Sequence, residues 1–115
     1  MTHPILDRRR AAILRNGESA TLRRQTAVTP SVTYTAVTLT AAVHDFKPGD
    51  LQAGHRQGDR QADILAEEIT AAAWPGPPAP GDTLVTSEGI LAVVAAPPVR
   101  IGAEIGGWRL WVRGP

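Results

Sequence analysis

One run of twelve residues, VTYTAVTLTAAV, constrains the fold of this chain more than any other stretch. It spans Val32–Val43 and is made of threonine, valine, alanine, leucine and one tyrosine, a composition typical of β-strands. At about 3.3 Å per residue such a strand reaches roughly 40 Å, so we expect it to bend or protrude in so small a domain. Alternation places the following residues on one face: Thr33, Thr35, Val37, Leu39, Ala41 and Val43.

Shorter runs of the same alternating kind occur along the rest of the chain. They are ESATLRRQT, DRQADIL, TLVT, ILAVVAA and WRLWVRG, and turn residues separate most of them. Ser87-Glu88-Gly89 predicts a tight hairpin, and Pro97-Pro98 predicts the end of the strand that follows it. We expect VRIGAEIGG to be a turn-rich connection. The final strand is predicted to place Trp108, Leu110 and Val112 on one face and Arg109, Trp111 and Arg113 on the other.

Two helices are predicted. Pro4 suits a first helical position and Asn16-Gly17 a helix end, which indicates a short helix over residues 4–16. The segment AEEITAAA favours one or two further helical turns that end at Trp74-Pro75. Trp74 is expected to plug the core there. The stretch after it holds four prolines in six residues, so we expect a stiff, extended connection.

Together these elements predict a mainly β fold, a small single-domain β-barrel or sandwich of five or six strands with a short N-terminal helix and a short internal helix. A chain of 115 residues suits one domain with a substantial core. We divide it into an N-terminal helix or arm over residues 1–17 and a β-barrel domain over residues 18–115. The barrel domain contains a long polar loop over residues 44–58, and loops of that length are usually functional or disordered.

Composition excludes several classes of protein. The chain has no cysteine, which rules out disulfides and thiolate metal sites. Its formal net charge is +1, so bulk positive charge does not explain binding to nucleic acid. No apolar run is long enough for a membrane span, and the first residues do not read as a secretory signal.

Residues that could carry chemistry are few. His44-Asp45 invites a metal-hydrolase reading, but such a site needs several further ligands on other elements. Glu67-Glu68 is expected to be a solvated helix start, because neighbouring residues on a helix do not face each other. The Gly-Asp pairs at residues 58–59 and 81–82 are interpreted as turns rather than a phosphate loop. We therefore expect no enzyme, no cofactor and no bound metal.

Basic side chains suggest two further roles. If copies of the chain form a ring with the long loop inward, Lys47, Arg56 and Arg60 would face the channel as a basic collar, because symmetry multiplies a small charge. Asp45, Asp50 and Asp59 largely cancel this charge, and a solvated loop of mixed charge is at least as good an explanation. Arg8 and Arg9 are candidates for a subunit or partner interface. Trp111 is a third such candidate, or else a stacking platform for single strands.

The order of the pieces resembles a known family. The chain runs from GESATLRRQT through the long Thr/Val strand to HDFKPGDL, then through QGDRQADI, AAWPGPPAPGD and TLVTSEGILAVVAA to WRLWVRG. In this order it resembles the small head–tail connector proteins of long-tailed phages and gene transfer agents, which are also called head-completion, stopper or head–tail joining proteins. The resemblance covers roughly residues 17–114 and depends on the order and spacing of turns.

The resemblance implies a structural virion protein and no catalytic residues. It implies a homo-oligomeric ring at the head–tail junction, assembled in the bacterial host cytoplasm, that closes the DNA-filled head and docks the tail. The expected partners are the portal and adaptor ring proteins, the tail-terminator or other tail proteins, and the packaged double-stranded DNA. The segment His44–Gly58 matches a loop that in this family often lines or narrows the channel.

Two other functions fit the same pattern. A tail terminator or another connector layer shares the size and the β-rich composition. A small barrel that binds single-stranded nucleic acid would use surface aromatic residues beside arginines, such as Trp111, Tyr34 or Phe46.

Overall fold

The computed structural model describes residues 4–27, 31, 33–45, 59–72, 74 and 76–114. Within this part of the chain there are two helices and seven strands. The elements, in chain order, are α1 (Pro4–Asn16), β1 (Glu18–Ala27), β2 (Thr33–Asp45), β3 (Arg60–Leu65), α2 (Ala66–Ala71), β4 (Thr83–Thr86), β5 (Gly89–Ala95), β6 (Pro98–Ile101) and β7 (Glu104–Arg113).

Six of the strands close into a barrel. Their order is β3-β2-β1-β4-β5-β7, and β3 pairs with β7 to complete the ring, while β6 pairs with residues 104–108 of β7, where β5 does not pair. Every pairing is antiparallel. The expectation of a small, mainly β barrel with two short helices is therefore confirmed, and the structure adds one strand to the number predicted.

Alternating side chains fill the barrel. On β2, the face that carries Val37, Leu39 and Ala41 points into the barrel, because these three side chains are buried while Ala36 and Thr38 are exposed. Ile69 of α2 and Trp74 belong to the same core, which confirms Trp74 as a core residue. The side chains with almost no exposed surface are Leu22, Ile64, Leu84, Leu91, Leu110 and Val112.

The helix α1 packs against the barrel through a narrow apolar stripe, in which Leu6 and Ile13 are buried. Leu6 lies over Gly106, where a Cβ would come within 2.6 Å of the leucine side chain. The helix ends as predicted, since the Gly17 N–H donates to the Ile13 carbonyl at 2.7 Å. Neither helix in the described part of the chain is long and apolar enough to cross a membrane.

The prediction of a turn-rich connection over residues 99–107 is wrong. These residues form β6, a two-residue turn at Gly102 and Ala103, and the first part of β7. Glycine has a packing role here, because a Cβ on Gly107 would lie 2.0 Å from the Ile64 carbonyl oxygen of β3. Glycine in a strand often marks such a close approach of two backbones.

The proline-rich connection is held by one buried ion pair. The Asp82 side chain is 3 % exposed, and its carboxylate accepts hydrogen bonds from Arg24 Nε at 2.8 Å and Arg24 Nη2 at 2.9 Å. The same carboxylate accepts from the Ala79 N–H at 2.9 Å, while Arg24 Nη2 also donates to the Pro77 carbonyl at 2.9 Å. The hydrogen bonds to Asp82 raise the pKa of Arg24 above its ordinary value. Arg24 and Asp82 thus fasten residues 77–82 to β1.

Candidate functional site

The predicted channel loop begins and ends at one point of the barrel. Asp45, the last residue of β2, is the register partner of Arg60, the first residue of β3. Residues 46–58, including Lys47 and Arg56, lie outside the described residues. His44 and Asp45 were expected to open the loop, and this is wrong, because both belong to β2 and pair with β3. Fourteen residues, 46–59, therefore connect two adjacent positions of the sheet.

A cluster of charged side chains surrounds this point, and we call Glu18, Asp45, Arg60 and Glu88 the loop-base cluster. Arg60 forms ion pairs with Glu88 and with Asp45, whose Oδ1 lies 3.6 Å from Arg60 Nε. Glu18 accepts hydrogen bonds from the N–H and the hydroxyl of Ser87 at 2.9 and 3.0 Å. The cluster lines a cavity of about 390 Å³. Carboxylates outnumber arginine here, so Arg60 is not an unpaired cation at the barrel end.

Asp59 anchors the return of the chain from the 46–58 segment. Its side chain is 1 % exposed, and its carboxylate accepts hydrogen bonds from Arg113 Nε at 2.9 Å and Arg113 Nη2 at 3.0 Å. The Trp111 indole Nε1 donates to the same carboxylate at 2.7 Å. These hydrogen bonds to Asp59 raise the pKa of Arg113 above its ordinary value. Both neighbours come from β7, so the residue before β3 is fixed to the strand that closes the barrel.

Trp111 helps to hold Asp59 in place. It is half-buried, and the Arg113 guanidinium lies 5.6 Å from its ring centre. An indole whose N–H is held by a buried carboxylate and whose ring lies beside an arginine is well fixed in place. This arrangement favours packing over base stacking for Trp111.

Arg8 and Arg9 have different surroundings. Arg8 is exposed on α1. The Arg9 side chain is only 12 % exposed, and its guanidinium donates to the carbonyls of Ile64 and Trp108, both at 3.2 Å. Burial lowers the pKa of Arg9, although nearby Asp63 opposes that shift. Arg9 thus fastens the helix to the barrel, and Arg8 alone of the two is available to a partner.

The acidic pair at the start of α2 is more engaged than the sequence predicted. Glu67 forms an ion pair with Arg10 of α1. Glu68 accepts hydrogen bonds from the Thr40 N–H at 3.1 and 3.2 Å. β3 pairs with β2 only as far as Ala42, so the Glu68 carboxylate satisfies the Thr40 N–H where this pairing has stopped. The expectation that Glu68 is solvated is wrong.

Sequence reasoning missed the importance of Asp59 and Asp82. Both were interpreted as turn residues, and both are buried carboxylates that bind an arginine more than fifty residues away along the chain. The available signal was the repeat of Gly-Asp immediately before a strand, together with arginines on β1 and β7.

No arrangement of catalytic groups stands out in the described part of the chain. Among those residues there is no group of three or more His, Cys, Asp or Glu side chains placed to hold a metal ion. His44 is exposed and lines the cavity beside the loop-base cluster. At this end of the barrel, the loop-base cluster and the Asp59 contacts hold both ends of a 14-residue connection. No protein-family model matches the chain, and no curated protein matches it either.

Proposed function

We propose that this chain is a structural virion protein that forms a ring at the head–tail junction, closes the DNA-filled head and docks the tail. The proposal rests on one observation: the connection between β2 and β3 is anchored to the barrel at both of its ends. Its ends are register partners, and Asp59 fixes one of them to β7. This agrees with the resemblance to small head–tail connectors, in which the corresponding loop meets the channel.

The proposed mechanism is mechanical. DNA under pressure pushes on whatever lines the channel, and a lining segment resists only if its ends are anchored. Here the load would pass from the 46–58 segment through Asp59 to Arg113 and Trp111, and through Arg60 to Asp45 and Glu88. Both paths end on the closed six-stranded barrel, in which each strand is paired on both sides.

The basic collar belongs to Lys47 and Arg56 in this proposal. Arg60 was the third candidate, but the carboxylates of Asp45 and Glu88 balance its charge. In a ring, even two cations per copy add up around the channel. They would contact DNA phosphates, and such contacts weaken as salt rises.

A separate surface for a neighbouring protein is the outer face of α1. Arg8 and Arg15 are exposed on the outer face of α1, and within the described residues neither has an ion-pair partner. We assign this face to the portal or adaptor ring on the head side, and the opposite rim to the tail proteins. A tail terminator or another connector layer would use the same features, with the order of the neighbours changed.

The test is deletion of the gene in the producing strain, followed by negative-stain electron microscopy of the particles. We expect separate tails beside tailless heads that have lost much of their DNA. Complete DNA-filled heads with unfinished tails would move the protein to a tail layer, and finished tailed particles would refute the proposal.

Complementation separates the loop from the fold. A gene carrying Lys47→Gln and Arg56→Gln should restore ring assembly but leave heads that retain less DNA. The matched control is Arg8→Gln with Arg15→Gln, which removes two arginines from α1 and should impair joining to a neighbour rather than DNA retention.

A further inference from the structure

An apolar cleft lies at the end of the barrel opposite the loop-base cluster. It is formed between the β6–β7 hairpin and the segment after α2, and its volume is about 540 Å³. Pockets of about 300–1,000 Å³ commonly hold ligands or side chains of partners. Its walls include Trp74, Pro77, Pro78, Arg100, Ile105 and Trp108.

One charged side chain stands on the wall of this cleft. Arg100 is exposed, and in the described part of the chain it has neither a hydrogen-bond nor an ion-pair partner. It lies on β6, which among the described strands pairs with β7 alone. Ile105, its register partner, is 38 % exposed. The cleft thus combines open apolar surface with one cation, and it suits an apolar side chain that has a carboxylate near it.

The β4–β5 hairpin of the same protein presents that combination. Ile90 is 54 % exposed, because Leu91 takes the inward position on β5. Glu88, two residues earlier in the turn, has a side chain that is 50 % exposed. Asp45 also pairs with Arg60, so Arg60 keeps a counter-charge if Glu88 turns to another cation. The hairpin tip therefore carries an apolar side chain and a half-exposed carboxylate, which would leave Arg60 to Asp45 on meeting a second cation.

The hairpin tip and the cleft cannot meet within one chain. β7 pairs with Ala92 of β5 at Arg113 and with Arg100 of β6 at Ile105. These two positions on β7 are eight residues apart, which is roughly 26 Å in a strand. Glu88 lies still further from Ile105, in the turn before β5. A contact between Glu88 and Arg100 must therefore join two molecules.

We propose that a second copy of this chain occupies the cleft, with its Ile90 packed against Trp108 and the proline-rich wall and its Glu88 paired with Arg100. This inference rests on the proposed function, because it names the contact that would build the ring. The two surfaces are different and lie at opposite ends of the barrel, more than roughly 26 Å apart along the strand direction. Contacts of this head-to-tail kind generate rings when the rotation closes.

Charge disfavours the simplest rival, a symmetric dimer through the cleft. Such a dimer would bring two Arg100 side chains together, and like charges placed opposite each other oppose association. The contact through one hairpin tip is also small, and stable interfaces bury at least about 1,000 Å² in total. We therefore expect a weak pair in solution, strengthened in a ring where each copy makes two such contacts.

Cysteine cross-linking tests the contact directly, because the natural chain has no cysteine. Ser87→Cys marks the hairpin tip, and Ala103→Cys marks the β6–β7 turn beside the cleft. Both leave Ile90, Glu88, Arg100 and Trp108 unchanged. The two purified full-length variants are mixed at high concentration with a short bis-maleimide. We expect a covalent dimer that contains one copy of each. Ala11→Cys on the exposed face of α1, mixed with Ala103→Cys, measures chance collisions.

Charge reversal provides a second test, again read from the yield of cross-linked dimer. Adding Arg100→Glu to the Ala103→Cys variant should lower the yield of cross-linked dimer about fivefold to tenfold. Adding Glu88→Arg to the Ser87→Cys variant should restore it. A yield no greater than that of the Ala11→Cys control would overturn the proposal, and so would equal dimer formation by Ser87→Cys alone. Either result leaves the head-completion proposal standing if the gene deletion gives tailless heads.

Discussion

The ion pair between Arg24 and Asp82 provides the sharpest test of what holds this barrel together. We consider Asp82→Asn, which keeps the shape of the side chain but removes its charge. Three N–H groups converge on the carboxylate, two from Arg24 and one from Ala79. An amide offers one acceptor oxygen and a donor group, so at least one of these N–H groups loses its partner.

The expected loss of stability follows from these contacts. Breaking a fully buried ion pair costs about 3–5 kcal/mol. The Arg24 side chain is 25 % exposed and keeps its bond to the Pro77 carbonyl, so water and that carbonyl recover part of the loss. Two weakened charge-assisted bonds and one unpaired N–H together indicate about 2–3 kcal/mol. For a domain of this size that corresponds to a melting temperature lower by roughly 8–12 °C.

The assay is urea unfolding of the purified full chain, with the slope checked so that the midpoint reports stability alone. The control is Asp45→Asn, the same chemical change at a side chain that is 86 % exposed and 3.6 Å from its arginine. That variant should lose less than about 0.5 kcal/mol. The double variant with Arg24→Gln should lose little more than Asp82→Asn alone, because the two residues act as a pair. If Asp82→Asn proves no worse than Asp45→Asn, the buried pair does not stabilise the fold as argued.

Three further changes should be measured in the same way. Arg9→Met leaves two strand carbonyls without their donor and should destabilise the chain by about 1.5–3 kcal/mol. The control Arg8→Met should change stability by less than about 0.5 kcal/mol. Equal effects of the two substitutions would contradict the role of Arg9 in holding the helix to the barrel. Glu68→Ala exposes an unpaired N–H of β2 and should cost about 1–2 kcal/mol, a loss that faster amide exchange at that N–H would localise. Pro77→Ala with Pro80→Ala should lower stability by about 1–2 kcal/mol through the entropy of the unfolded chain and weaken ring assembly, and an unchanged melting temperature together with unchanged assembly would exclude this effect.

Periodicity predicted much of the barrel because burial in a closed sheet requires alternation. The inward positions of β1, β2, β3 and the second half of β7 could be read from single strands. The start of β7 could not, because Gly106 and Gly107 look like turn residues. They are small because Leu6 and the Ile64 backbone lie against them, and a linear sequence does not show which backbones meet.

The candidate site was harder to predict for a related reason. Asp59 finds Arg113, and Asp82 finds Arg24, only because the barrel brings separate strands to the same end. Each ion pair depends on the register of the strands and on the closure of the barrel. The positions of the strands along the sequence do not reveal either one. The same holds for Arg9. In the sequence it belongs to a run of charged residues, and only the fold brings two strand carbonyls to its guanidinium.

The pairing of Asp45 with Arg60 at the two ends of the connection has a consequence for how such a chain can diverge. Since the two residues are register partners, β2 and β3 remain paired whatever length of chain connects them. The entropy of closing a loop grows only with the logarithm of its length, and each doubling adds about 0.6 kcal/mol. Insertions, deletions or a transplanted segment between these positions should therefore be tolerated, so that selection can remodel what this end of the molecule touches without rebuilding the domain that carries it.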